Sequence, residues 1–104
     1  MSDWTFLTDH AHVLVLLARE PRSTVPQLVQ QAGLDVATVS AILRDLEAGG
    51  YVGREQHADT TYTTIDRTRP LRHPVERQHP VGRLLYAVES PGDVLRDRLA
   101  APDA

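Results

Sequence analysis

The chain has 104 residues, with 14 acids, 11 basic residues, five histidines and no cysteine. That length suits one domain with its own core, and the lack of cysteine excludes disulfides and thiolate metal sites. No apolar run reaches the ~20 residues of a membrane-spanning helix, and the opening MSDWTFLTDH lacks the order of a secretory leader, so a cytoplasmic location is expected.

The first predicted element is a helix within Phe6 to Arg19, FLTDHAHVLVLLAR. Thr8 is its cap and Asp9 favours its positive end. Ala11, Leu14, Val15 and Ala18 mark an apolar face that Val13, Leu16 and Leu17 widen, as in a central helix. Glu20-Pro21-Arg22 ends it. Ser23 or Thr24 opens a second helix with Pro26 in its first turn, and Val25, Leu28, Val29 and Ala32 form its buried stripe. Gly33 is placed to stop that helix in a left-handed conformation. Leu34 is expected in the core, and Asp35 is expected to cap a third helix. There Val36, Val39, Ile42, Leu43 and Leu46 recur at helical spacing, and Gly49-Gly50 terminates the run.

Tyr51 to Glu55 and Thr61 to Ile65 are rich in aromatic and β-branched residues and read as two strands. Residues 56–60 between them are a predicted hairpin tip. Asp66 to Pro80 holds three prolines with little periodicity and reads as an extended arm. Val81 to Glu89 is a short amphipathic helix. Ser90, Pro91 and Asp93 then open a last short helix lined by Val94, Leu95 and Leu99.

Helix, tight turn, helix and two-stranded ribbon is the order of a winged helix-turn-helix. The expected fold is mainly α with a small β-hairpin wing. Residues 1–66 form the winged domain, 67–80 the extended basic arm, and 81–104 a C-terminal helical, dimerisation segment. The charge is split: residues 1–66 hold four arginines against nine acids, and residues 67–104 seven against five. An acidic front half is unusual for a nucleic-acid binder, although only the local potential at the groove counts.

The segments FLTDHAHVLVLLAR, QQAGL (30–34), ILRDLEAGGYV (42–52) and RPLRHPVERQHPVGRLL (69–85) together resemble small winged helix-turn-helix regulators of the MarR/ArsR-like type found in actinobacteria. The arginine-only basic set and abundant Ala, Val and Leu fit a GC-rich genome of that kind. The resemblance covers the chain to about residue 88. It implies a sequence-specific DNA-binding transcriptional regulator, a homodimer, with residues 36–49 in the major groove of duplex DNA. Such proteins often carry Arg, Gln or Lys on the outward face of that helix and a basic wing. Here the outward residues are Ala37, Thr38, Ser40, Ala41 and Arg44, and the wing holds Arg54 and His57 beside Glu55. These seven are the candidate DNA contacts: hydroxyls for phosphates or base edges, alanines for thymine methyls, Arg44 for a phosphate or guanine. The sparse charge leaves a second reading open, a winged-helix adaptor that binds protein and has lost most DNA contacts.

The stretch 67–86 is the most basic, with Arg67, Arg69, Arg72, Arg77 and Arg83 against Glu76. Arg67, Arg69 and Arg72 are candidate DNA-backbone contacts. The competing reading has the arm pack over its own domain or a partner, with the prolines, Leu71 and Val75 as packing elements. Trp4 and Phe6 precede the first helix and invite packing on a C-terminal helix or on a second copy. The terminal helices are too short to be stable alone, so an isologous homodimer is expected. A ligand-responsive regulator with a cleft between the first helix and the arm is a third reading. His10 and His12, two apart, point to different faces of a helix, and no histidine–carboxylate pair stands out at i, i+4, so no metal site is expected. No Gly-rich phosphate loop and no nucleophile–base grouping is present. Neither a cofactor nor an enzymatic activity is expected.

Overall fold

A computed structural model describes residues 3–89. The order is α1 (Asp9–Arg19), α2 (Val25–Ala32), α3 (Val36–Ala48), β1 (Val52–His57), β2 (Thr60–Ile65) and α4 (Val81–Ala87). The chain divides into two compact units, one up to Asp66 and one from Arg67 onward. The expected helix through Val94, Leu95 and Leu99 lies outside the described residues.

In the first unit, three helices pack pairwise against one another and β1 follows on α3. Each helix starts on a side-chain acceptor, as a local reading of the sequence demands. Thr8 Oγ1 accepts the Ala11 N–H at 3.2 Å. Thr24 and Gln27 form a reciprocal capping box, with the Thr24 N–H donating to Gln27 Oε1 at 2.8 Å. Asp35 Oδ1 accepts the Thr38 N–H at 2.7 Å. Between α2 and α3, Gly33 takes a φ of 71°, a left-handed conformation that only glycine adopts without strain. The apolar stripes converge on one core: Val13, Leu14 and Leu17 from α1, Leu28 from α2, and Val39, Ile42, Leu43 and Leu46 from α3. Tyr51 and Val52 close it after the chain turns through Gly49-Gly50.

The wing is an antiparallel pair running from Val52↔Ile65 to His57↔Thr60. Its tip is therefore two residues, Ala58 and Asp59, and not the five expected. Pairing reaches farther because Ala58 accepts a φ of 55°, normally a glycine or asparagine conformation. The Thr63 N–H donates to the Pro21 carbonyl at 2.9 Å, tying the wing to the α1–α2 turn. Trp4 and Phe6 meet edge to face at 5.0 Å and stay 65% and 91% exposed.

In the second unit, the expected extended arm is instead a closed loop. Pro70 and Pro80 form an antiparallel bridge. The Leu71 N–H donates to the His79 carbonyl at 3.0 Å, and the Val81 N–H to the Arg69 carbonyl at 2.7 Å. Val75, a packing element on sequence grounds, stands 78% exposed. In α4, Val81 and Leu85 are buried. Among the described residues no helix is long and apolar enough to cross a membrane.

Candidate nucleic-acid interface

Helix α3 buries Val39, Ile42, Leu43 and Leu46. At 3.6 residues per turn the opposite face is the stripe Ala37, Ala41, Arg44 and Ala48. Arg44, Val36, Ala37 and Ala48 are exposed, while Ser40 and Ala41 are half-buried. The outward stripe is thus narrow and made of small side chains, with one guanidinium at its centre. Among the described residues no carboxylate lies within ion-pair distance of Arg44, whereas both flanks of α3 are tied down.

On the wing flank, Arg54 Nε lies 2.6 Å from Glu47 Oε2. A solvated pair of this kind contributes only about 0.2–1 kcal/mol to stability. Its larger consequence is electrostatic. The one fixed positive charge of the wing already has a carboxylate in contact, and little of its field survives past a Debye length of about 8 Å. His57 lies 3.3 Å from Glu55 Oε1 and its ring meets Tyr62 edge to face at 5.5 Å. Both expected wing contacts, Arg54 and His57, are therefore directed at acids of their own unit.

On the α1 flank, His10 Nε2 lies 2.8 Å from Asp45 Oδ2. Thr38 belongs to this side. It lines an open hollow with Asp9, His10, Ala37, Ala41 and Asp45, and both its hydroxyl and its N–H donate to Asp35. Those two bonds hold the Asp35 carboxyl below the usual aspartate range, the hydroxyl contributing more. Thr38 thus serves the helix start while sharing the hollow with Ala37 and Ala41, and Ala37, Ala41 and Arg44 follow one stripe with Ser40 beside it.

A second feature escapes sequence reasoning. Between the start of α2 and the wing lies a cleft of about 380 Å³, floored by Leu17, Leu28 and Leu43. Its rim carries Arg22, Thr24, Arg54, Thr61 and Thr63, with one carboxylate, Asp59, among them. Hydroxyl donors in this density suit phosphate oxygens. The only sequence signal was the threonine run 60–64, whose β propensity masked its donors. Nor does the sequence mark Asp45 and Glu47 as paired, because their partners His10 and Arg54 sit on other elements.

The candidate backbone contacts of the second unit are separately placed. Arg67 Nη1 lies 3.1 Å from Glu89 Oε1. The Arg69 carbonyl accepts the Val81 N–H, and Arg72 is exposed on the loop. His10 and His12 share α1, His57 ends β1, and His73 and His79 lie in the loop before α4; among the described residues no three metal-ligating side chains gather into a site.

Three packed helices, an outward stripe on the third and a hairpin beside it define a winged helix-turn-helix protein. The sequence model of the MarR family matches residues 4–60, more than half of the chain, and the chain belongs to that family. It is a family of DNA-binding transcription regulators, not of enzymes. No curated protein matches the chain.

Proposed function

We propose that the protein is a sequence-specific transcriptional regulator that binds duplex DNA as a homodimer, with residues 36–49 in the major groove. The observation that carries this reading is the outward stripe of α3. Small side chains at Ala37, Ser40 and Ala41 let the helix approach base edges closely, and Arg44 is free to bond guanine or a phosphate. The cleft hydroxyls at Thr24, Thr61 and Thr63 are the flanking phosphate donors, the Ser23 hydroxyl already donating to the Glu20 carbonyl. Arg54 and His57 join them only by leaving Glu47 and Glu55. The exposed Trp4–Phe6 pair supports self-association, since contiguous exposed apolar surface marks interaction sites. The paired wing charges predict a shallow dependence on salt.

The test is selection from fragmented genomic DNA at low salt, followed by salt titration on the enriched sequence. The expected result is an inverted repeat, bound more weakly as salt rises. Arg44→Ala should then cost about 1–3 kcal/mol of binding free energy and relax preference at one base pair per half-site. No enrichment at low salt would overturn the reading.

A further inference from the structure

The loop between Pro70 and Pro80 is a built protrusion. Its neck is closed by the Pro70–Pro80 bridge and by N–H donation from Leu71 to His79, from Val81 to Arg69 and from Gly82 to Arg67. A Cβ at Gly82 would lie 2.9 Å from the Arg67 carbonyl oxygen, so the neck admits no side chain there. Inside the loop the Glu76 N–H donates to the His73 carbonyl and the His79 N–H to the Glu76 carbonyl, both at 2.9 Å. The Val75 N–H donates to His73 Nδ1 at 3.1 Å, and Arg83 donates to His79 Nδ1 at 3.2 Å. The backbone is thus held by its own bonds while Arg72 and Arg77 project from it, both exposed. Neither has an ion-pair or hydrogen-bond partner among the described residues.

We propose that this loop is a second DNA-contacting element, in which Arg72 and Arg77 bind backbone phosphates without reading sequence. The proposal rests on the DNA-binding reading above and adds a site to it. Two free guanidiniums on a pre-closed loop meet what a phosphate contact needs: extended cations that lose little order on binding. A protein partner is a poorer fit. Protein interfaces are anchored by buried aromatic and large apolar side chains, and between Arg72 and Arg77 the loop offers only Pro74 and Val75 as exposed apolar residues, neither of them large or aromatic. Phosphate contacts also supply charge that the stripe of α3 and the paired wing lack.

The experiment is fluorescence anisotropy with the full chain on two duplexes, the selected one and one of unrelated sequence, across a salt series. Arg72→Ala/Arg77→Ala is compared with wild type and with Arg72→Lys/Arg77→Lys. Each released phosphate contact flattens the log–log salt slope by about 0.9. The alanine pair is therefore expected to flatten it by about 1.8 on both duplexes. The advantage of wild type over this variant should shrink about tenfold between 50 and 200 mM salt. The lysine pair should keep the wild-type slope, and thermal melting should be unchanged in both. A wild-type slope in the alanine pair overturns the proposal while leaving the regulator reading intact. Wild type that binds neither duplex overturns both. A weakened self-association by sedimentation, with an unchanged slope at saturating protein, would assign the loop to a second copy and also overturn it.

Discussion

The two units handle charge in opposite ways. In the first, Arg22, Arg54, His10 and His57 each lie within 4 Å of a carboxylate, at Glu20, Glu47, Asp45 and Glu55 respectively. Arg44 stands apart on a face of small side chains. In the second, Arg67 is bound to Glu89, but Arg72 and Arg77 project from a closed loop without partners among the described residues. The acidic front half is therefore not a surface that simply repels DNA. Glu20 and Glu47 are each paired with an arginine beside them, and Asp45 and Glu55 each meet a histidine, so part of the acidic charge is locally engaged. Shape comes from the first unit and free charge largely from the second. A count of arginines along the sequence shows only the second half of that division.

If the first unit contributes shape, removing its core should abolish binding without touching any charge. Leu28 is 1% exposed, the one fully buried side chain of α2. Leu28→Ala is expected to cost about 2–5 kcal/mol, the range for deleting a buried leucine and leaving a cavity. For a small domain that is a large share of its total stability. Chemical denaturation measures the loss, and DNA affinity should fall in proportion to the folded fraction. A loss below about 1 kcal/mol would mean that α2 is not seated as described.

The converse change alters charge and leaves shape alone. Glu47→Gln keeps the side-chain volume but frees Arg54 from its carboxylate. The pair is half-exposed, so stability should change by no more than about 1 kcal/mol. DNA affinity should rise at low salt, and the log–log salt slope should steepen by about 0.9, the signature of one added phosphate contact. An unchanged slope would show that Arg54 does not reach the backbone, and would narrow the contact surface to α3 and the hydroxyl cleft.

What was legible in the sequence was local. Thr8, Thr24 and Asp35 are caps because a hydroxyl or carboxylate just before an apolar period accepts an amide within the next three residues, and all three do so. The inward stripe of α3 follows from spacing for Val39, Ile42, Leu43 and Leu46, and with it the outward placement of Ala37, Ala41 and Arg44; Val36, in the same period, is instead 58% exposed because the first turn of the helix extends past the core. Spacing does not reveal that the Thr38 hydroxyl is engaged by Asp35. The hairpin tip is shorter than the sequence predicts because no Asn-Gly or Gly-Gly step marks it, and Ala58 takes the positive φ in their place. The loop neck and the pairs His10–Asp45 and Glu47–Arg54 join residues from 7 to 35 positions apart. Periodicity carries no information about such meetings. A proline-rich arginine stretch looks the same whether it runs out extended or closes on itself.

The smallest effect expected here concerns how the recognition helix begins. The Asp35 carboxylate accepts the hydroxyl and the N–H of Thr38, and these bonds lower its pKa on folding. A carboxylate whose pKa falls on folding stabilises the native state at pH values above its unfolded pKa. That contribution is lost as pH drops through the folded value. Wild type should therefore melt higher than Asp35→Asn at neutral pH, since asparagine keeps an acceptor for the cap but not the charge facing the helix dipole. The gap should narrow only below the ordinary aspartate range. Arg72→Ala/Arg77→Ala, measured in parallel, should track wild type throughout, because neither arginine has a carboxylate partner to lose. If the gap between wild type and Asp35→Asn stays constant into acid, Asp35 acts as a neutral acceptor. The start of α3 would then be held by geometry alone, in keeping with a first unit that supplies shape.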